Sequence, residues 1–114
     1  MATSVVGDVN ITGLSTKVTI PSGGANIKIT VWTSRIIGSN VNYYYKQVIK
    51  EGGTTLSNQQ YKNPTSEGNL VTMYRGFATA GTHTYSAAVG VGASANITIS
   101  ASSSSPAFIL VERA

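Results

Sequence analysis

The chain has 114 residues, a formal net charge of +4 at pH 7 and 11% charged residues, about half the usual charged share. This length is typical of one domain, and we expect a single domain over residues 1–114. The composition excludes a coiled coil and a charged disordered tail, and the absence of cysteine excludes a disulfide scaffold or a zinc knuckle. The basic residues are scattered, which does not favour a nucleic-acid partner. No apolar run is long enough for a transmembrane helix, so we expect no membrane partner.

Alternating apolar and polar residues predict short strands from the start of the chain. Val9–Thr12 and Lys17–Ile20 alternate, and Pro21–Gly24 has the composition of a turn. Ala25–Thr33 is the clearest strand, with one apolar and one polar face. Trp32 is predicted to lie on the polar face, where a large ring is unusual. The apolar face is formed by Ile27, Ile29 and Val31.

The middle of the chain predicts one long strand and one long loop. Val41–Ile49 alternates, but either of its faces fits the core. One register buries the face of Tyr45, and the other buries the face of Tyr44. Glu51–Thr54 is predicted to be a hairpin turn. Ser57–Asn69 is polar and irregular, and we expect a surface loop there.

The last third of the chain predicts strands at Leu70–Arg75, His83–Val89, Ala95–Ala101 and Ala107–Val111. The final strand is apolar on both faces, which indicates cover on both sides. We expect the second cover to come from another subunit. The candidate subunit interface is formed by Ala107, Phe108, Ile109, Leu110 and Val111. About eight strands without a convincing helix predict an all-β fold, an antiparallel β-sandwich or jelly roll.

Residues suited to catalysis are few and dispersed. His83 is the only histidine, and no Gly-x-Ser-x-Gly segment is present. The four acidic residues sit far apart at ends and turns, which favours neither a glycosidase pair nor a calcium loop. We therefore predict no catalytic, cofactor or metal site and no enzyme activity. The acidic residues are Asp8, Glu51, Glu67 and Glu112.

Three aromatic residues are candidate contacts for a partner or a glycan: Trp32, Tyr44 and Tyr61. Tyrosine and tryptophan combine apolar area with a polar tip, which suits protein interfaces and carbohydrate stacking. Simple packing on the sandwich surface is the third alternative. The sequence leaves all three open.

Residues 70–112 resemble a known family. Arg75-Gly76-Phe77 is followed by Ala80-Gly81-Thr82-His83-Thr84-Tyr85, then by a strand of small residues at 95–99, and the chain closes with Phe108-Ile109-Leu110-Val111-Glu112. This layout resembles the small β-jelly-roll domains of tailed-bacteriophage virion proteins, of the decoration or tail-fibre head type. A similar layout occurs in the trimeric jelly rolls of the C1q/TNF type.

The resemblance implies a non-enzymatic virion structural protein, often a homotrimer, without cofactors. Our first expectation is a capsid decoration (cement) protein that binds and stabilises the shell. The alternative is a tail or fibre adhesin that binds a host-surface glycan or receptor. In both cases the partners of this chain would be the major capsid or tail protein and further copies of the chain. No signal-peptide pattern is present at the amino terminus, so we expect synthesis in the host cytoplasm. Residues 1–6 are a candidate docking arm that adds a strand to a neighbour's sheet.

Overall fold

The computed structural model consists of β-strands joined by turns, and it describes residues 2–3, 7–38, 44–62, 68–91, 97–99 and 107–114. None of these residues forms a helix long and apolar enough to cross a membrane. The strands are β1 (Ala2–Thr3), β2 (Gly7–Ile20), β3 (Ala25–Gly38), β4 (Tyr44–Glu51), β5 (Thr54–Lys62), β6 (Gly68–Ala78), β7 (Gly81–Val91), β8 (Ile97–Ile99) and β9 (Phe108–Arg113).

The strands form two antiparallel sheets. Sheet A has the order β1-β8-β3-β6, with β9 also paired to β3, and sheet B has the order β2-β7-β4-β5. Strands β8 and β9 pair with different stretches of β3: β8 with Ile36–Gly38, and β9 with Ile27–Trp32. The two orders β1-β8-β3-β6 and β2-β7-β4-β5 are those of the two sheets of a jelly roll. The predicted all-β sandwich or jelly roll is therefore confirmed.

The core lies between the two sheets, and β3 shows why its sequence folds there. Ile27, Ile29 and Val31 are exposed by only 3%, 0% and 0%, so the predicted apolar face of this strand is confirmed. Burying a side chain of this size stabilises the fold by about 1.5–3 kcal/mol relative to exposure. The core cluster consists of Ile11, Leu14, Ile20, Ala25, Ile27, Ile29, Val31, Ile49, Leu70, Ala78, Tyr85, Ala87 and Val89.

A bulge in β2 brings two apolar residues to the same face. Ile11 and Leu14 are both buried, although an odd spacing would place them on opposite faces of a regular strand. The register with β7 shifts between Asn10 and Ser15. Gly13 lies inside this interval with a φ of 86°, a conformation that glycine adopts at little cost. The bulge thus joins the two predicted short strands of this region into one.

A buried amide connects the two sheets. Gln47 of β4 is 0% exposed. Its side-chain nitrogen donates to the hydroxyl of Thr72 at 3.0 Å and to the carbonyl oxygen of Val31 at 3.3 Å. The hydroxyl of Thr33 donates to its side-chain oxygen. All three partners belong to sheet A, so the amide is satisfied across the inter-sheet space, as a buried polar group requires.

The position of Gln47 also fixes the register that the sequence left open. Val48 of the opposite face is 0% exposed like Gln47 and Ile49, so burial alone does not choose the face. Ile49 belongs to the core cluster, and Gln47 forms its hydrogen bonds with residues of sheet A. The face that carries these two residues is therefore the one that meets the core. Residues 41–43 of the predicted strand lie outside the described residues.

The predicted surface loop at 57–69 is wrong at both of its ends. Residues 57–62 belong to β5, and Gly68 and Asn69 begin β6, while 63–67 lie outside the described residues. Strand β5 pairs with β4 from Glu51↔Thr54 to Tyr44↔Lys62. It is the edge strand of sheet B. A hydrogen-bonded edge strand needs no apolar alternation, and polar side chains there protect the edge from further pairing.

The candidate docking arm is partly paired within the chain itself. Ala2 and Thr3 form β1, which pairs with Thr98 and Ile97 of β8. The other residues of the predicted arm lie outside the described residues. An end strand is therefore added to this chain's own sheet A, and docking onto a neighbour's sheet stays a prediction.

Candidate functional site

The side of sheet A that faces away from the core carries the unusual tryptophan. Trp32 is half-buried and alternates with the buried residues of β3. It pairs with Val71 of β6 on one side and with Phe108 of β9 on the other. Directly paired residues share a face of the sheet. The predicted placement of Trp32 opposite the apolar face is therefore confirmed.

Apolar side chains continue along this outer face. The large hydrophobic residues that stand out as exposed are Met73 (49%), Phe77 (59%), Phe108 (40%) and Leu110 (45%). Each pairs with an outward-facing residue of β3. Single exposed apolar residues are ordinary, but several on one face of a sheet are typical of an interaction site. Met73, Phe108 and Leu110 lie in neighbouring rows with Trp32, and Phe77 lies beyond the row of Lys28. We call Trp32, Met73, Phe77, Phe108 and Leu110 the outer patch.

A row of charged residues crosses the same face. Lys28 of β3 pairs in register with Arg75 of β6 and with Glu112 of β9. The Lys28 ammonium and the Glu112 carboxylate are 3.6 Å apart, and their side chains are 28% and 46% exposed. An exposed pair of this kind adds at most about 1 kcal/mol to stability. Across the row, Arg75 places positive charge on β6 and Glu112 places negative charge on β9.

An open groove of about 380 Å³ lies beyond the charged row, at the end of the sheet where β3 begins. Phe77 closes one side of this groove and lies over the turn between β2 and β3. Gly24 of that turn has a φ of 77°, and a Cβ added there would lie 2.6 Å from the carbonyl oxygen of Ala78. The turn therefore requires glycine at this position. The groove is lined by Asn26, Ile27, Arg75, Gly76, Phe77 and Ala114.

The structure divides the predicted interface at 107–111 between two faces. Ala107, Ile109 and Val111 are partly buried and pack against this chain's own core. Phe108 and Leu110 point outward and belong to the outer patch. Within this chain, core packing covers one face of the strand. Phe108 and Leu110 carry the part of the predicted interface that a partner can reach.

The three aromatic residues predicted to contact a partner do not lie on one sheet. Trp32 is on sheet A, whereas Tyr44 and Tyr61 are on the β4–β5 hairpin of sheet B. In that hairpin Tyr44 pairs with Lys62, and Tyr61 pairs with Tyr45. Only Trp32 belongs to the outer patch.

Met73 and Phe77 were missing from the candidate residues of the sequence analysis. The alternation of β6 would have indicated them: its outward-facing residues alternate with more buried ones. The outward-facing residues are Val71, Met73, Arg75 and Phe77. This alternation becomes informative only when β6 is placed in register beside the outward face of β3. The pairing of distant strands was not readable from the sequence.

The single histidine lies at the other sheet. His83 of β7 has one ring nitrogen 2.7 Å from a carboxylate oxygen of Glu51 and the other 2.7 Å from the carbonyl oxygen of Thr79. Two acceptors favour the imidazolium, in which both nitrogens donate. The hydrogen bond to Glu51 raises the pKa of His83 above 6.5, and the bond to Thr79 raises it further. The ring stacks on Tyr85 at a centroid distance of 5.8 Å.

This arrangement stabilises the junction of β4, β7 and the turn before β7. With both ring nitrogens occupied, His83 has no nitrogen free to activate a nucleophile. Burial raises the pKa of Tyr85 above 10.0, with a further contribution from Glu51. Among the residues that the structure describes, no group of three His, Cys, Asp or Glu side chains is placed to hold a metal ion.

Comparisons with known proteins add information on the fold. No family model matches the chain, and no curated protein matches it in sequence. The structure is similar to the C-terminal domain of EclA, a sugar-binding protein, with 17% identity, a TM-score of 0.52, and coverage of 96% of this chain and 79% of that one. At this identity the similarity shows a shared β-sandwich fold alone.

A second similarity is too weak to carry an argument. A β-glucosidase from Paenibacillus barengoltzii matches with 11% identity and a TM-score of 0.45, over 80% of this chain and 10% of that enzyme. The fold and the exposed face together define the class: a β-sandwich protein with several large apolar side chains exposed on one sheet. The resemblance to virion jelly rolls stays a prediction.

Proposed function

We propose that this chain is a non-catalytic assembly module that joins a neighbouring protein through the outer patch. The observation that carries the proposal is the gathering of Met73, Phe77, Phe108 and Leu110, all large and exposed, on one face of sheet A. An extended apolar face with aromatic side chains, formed across the three strands β6, β3 and β9, fits a protein surface better than a small ligand, which is bound in a concave site.

The energy available from this surface suits repeated, individually modest contacts. Four large side chains at about half exposure present roughly 400 Å² of apolar area. Burying that area contributes about 10 kcal/mol at 25 cal/mol per Å². Lost translational and rotational freedom offsets about 4–15 kcal/mol of it. The net affinity of one contact is therefore modest, which suits a subunit present in many copies.

The resemblance of residues 70–112 to virion jelly rolls supports a place on a virion surface. There we propose that the module decorates a capsid and stabilises its shell. A protein that binds the assembled shell and not its dissociated subunits stabilises it by mass action. The net charge of +4 favours a partner with an acidic exterior, mainly by steering the encounter.

Met73 provides a direct test, because the chain contains only two methionines. Purified protein is oxidised with peroxide, alone and bound to candidate capsid shells that lack it, and Met73 sulfoxide is measured by mass spectrometry. We expect a higher shell melting temperature and protection of Met73 in the bound protein. Shell binding with Met73 oxidised as fast as in a urea-unfolded control would contradict an interface at the outer patch.

Sugar binding at the groove is the second candidate function. The groove combines the ring of Phe77 with the polar side chains of Asn26 and Arg75, and rings with nearby hydrogen-bonding groups suit a saccharide. The similarity to the sugar-binding EclA domain favours the same candidate. A glycan array tests it: binding lost in Asn26→Ala but kept in Asn58→Ala, a substitution on sheet B, would support this function over assembly. An array without any binding would exclude it for the glycans tested.

A further inference from the structure

The charged row gives the outer face a direction. Arg75 lies on β6 at one side of the row, Glu112 lies on β9 at the other, and Lys28 stands between them. Arg75 forms no ion pair with a described residue, whereas Glu112 faces Lys28 at 3.6 Å. The described part of this face therefore carries a cation without an ion pair at one edge and an anion at the opposite edge.

A second copy of the same face matches this pattern in one orientation. Consider two copies stacked face to face about a two-fold axis roughly parallel to β3. The axis exchanges the sides of the sheet but keeps the rows, so β6 of each copy lies over β9 of the other. Arg75 then faces Glu112 of the second copy, and Met73 faces its Leu110. Because the contact is isologous, each of these two pairings occurs twice. Lys28 lies near the axis and faces Lys28 of the second copy once, and the Glu112 carboxylate of its own chain lies 3.6 Å from each of these ammonium groups.

The other in-plane orientation does not give this match. A two-fold axis across the strands places β6 over β6 and β9 over β9, so Arg75 is opposite a residue of its own strand. Glu112 is then also opposite residues of β9, and neither charge meets its counterpart. Charge complementarity thus selects the axis parallel to β3. Stacked sheets at such an interface pack about 10 Å apart.

The size of the face is also sufficient. The four large exposed side chains present roughly 400 Å² of apolar surface, and Trp32, the charged row and Thr30 extend it. The total approaches the ~800 Å² that each partner buries in a standard interface. We infer that the neighbour covering the outer patch is a second copy of this chain, stacked face to face about an axis parallel to β3. This inference rests on the proposed function, since it names the partner of the same surface.

Charge reversal tests the inference by sedimentation equilibrium over a range of protein concentrations in low salt. Arg75→Glu and Glu112→Arg each place like charges opposite each other twice, so we expect each to weaken dimerisation by about tenfold or more. The double variant restores opposite charges, and we expect dimerisation to return. Arg113→Glu changes the charge by the same amount but pairs with the inward-facing Ile27, so it serves as the matched control. A wild type that stays monomeric, or a double variant no tighter than the single variants, would overturn the inference.

Oxidation of Met73 separates this inference from the proposed function. Protection of Met73 that rises with protein concentration in the free protein supports a second copy. Protection that appears only on the shell overturns the second copy and leaves the assembly surface in place. Met73 reactive in both states contradicts both. Thermal unfolding of every variant verifies that the fold is retained.

Discussion

The space between the sheets and the outer face of sheet A depart from the usual distribution of residues in opposite directions. Between the sheets, Gln47 is polar and fully buried; on the outer face, Phe77 is aromatic and 59% exposed. The buried amide finds all its partners in the same chain, at Thr33, Thr72 and Val31. The exposed ring has no comparable compensation. The interior is therefore complete within one chain, whereas the outer face exposes apolar side chains that, as we propose, a second molecule covers.

Two neighbouring residues of β9 test the contrast between the interior and the outer face with the largest expected difference in stability. Ile109 packs against the core, and Leu110 is 45% exposed on the outer patch. We expect Ile109→Asp to lower the free energy of unfolding by about 3–4 kcal/mol, because a carboxylate replaces core packing. Leu110→Asp should change it by no more than about 0.5 kcal/mol in dilute protein.

Urea unfolding measures both variants of this pair. The protein is kept dilute, so that dissociation of a dimer does not contribute to the transition. Equal destabilisation by the two substitutions would mean that Leu110 also belongs to the interior, and the contrast between the faces of β9 would fail.

The buried amide is tested with a matched pair in the same register. We expect Gln47→Leu to destabilise the fold by about 2–3 kcal/mol, because it leaves the buried hydroxyls of Thr33 and Thr72 without their partner. Gln59 is the directly paired residue on β5 and is exposed. Gln59→Leu should therefore change stability by less than about 0.5 kcal/mol. A melting temperature of Gln47→Leu equal to the wild type would show that the inter-sheet hydrogen bonds add nothing.

A smaller effect on stability is expected in the turn between β2 and β3, where Gly24 lies under Phe77. Gly24→Ala should cost about 1–2 kcal/mol, because alanine is strained at positive φ and its Cβ would approach Ala78 and Phe77. Gly53 lies in the turn between β4 and β5 with open space around it, so Gly53→Ala is the control and should be nearly neutral. Calorimetry compares the two. Equal effects of the two substitutions would contradict the strain assigned to a side chain at position 24.

The smallest expected effect concerns the hydrogen-bonded pair of His83 and Glu51 on sheet B, whose side chains are 13% and 38% exposed. Because the folded state raises the pKa of His83 above 6.5, the protonated ring stabilises the fold fully below pH 6.5. That contribution is lost as the pH rises through the raised pKa. We expect the melting temperature to fall in this interval, and the fall to disappear in His83→Gln. Glu51→Gln should reduce it as well, since the hydrogen bond to Glu51 is the main cause of the shift. If the melting temperature of His83→Gln depended on pH as that of the wild type does, the protonation of His83 would not contribute to stability.

Much of the fold was predictable because alternation is a local property of the sequence. Ile27, Ile29 and Val31 define the core face of β3, and Trp32 falls on the other face without knowledge of any partner strand. Strand β5 was missed because an edge strand is stabilised by backbone pairing with β4, which leaves no apolar pattern. The bulge at Gly13 could not be predicted from the sequence either, because it depends on the register of β2 with β7.

The candidate site was predictable only in part, for the same physical reason. The apolar character of both faces of β9 indicated the exposed Phe108 and Leu110. Met73 and Phe77 join them only through the pairing of β6 with β3, and that pairing links residues far apart in the chain. Long-range register, unlike alternation, is decided by the packing of the whole sandwich.

Sedimentation equilibrium of the wild type and Leu110→Asp tests directly whether a second protein surface covers the outer patch. We predict that the mass of the wild type rises with concentration from 11.9 kDa towards twice that value, while Leu110→Asp keeps the monomer mass and an unchanged melting temperature in dilute solution. Identical masses for the two proteins across the whole concentration range would contradict the claim for the free protein.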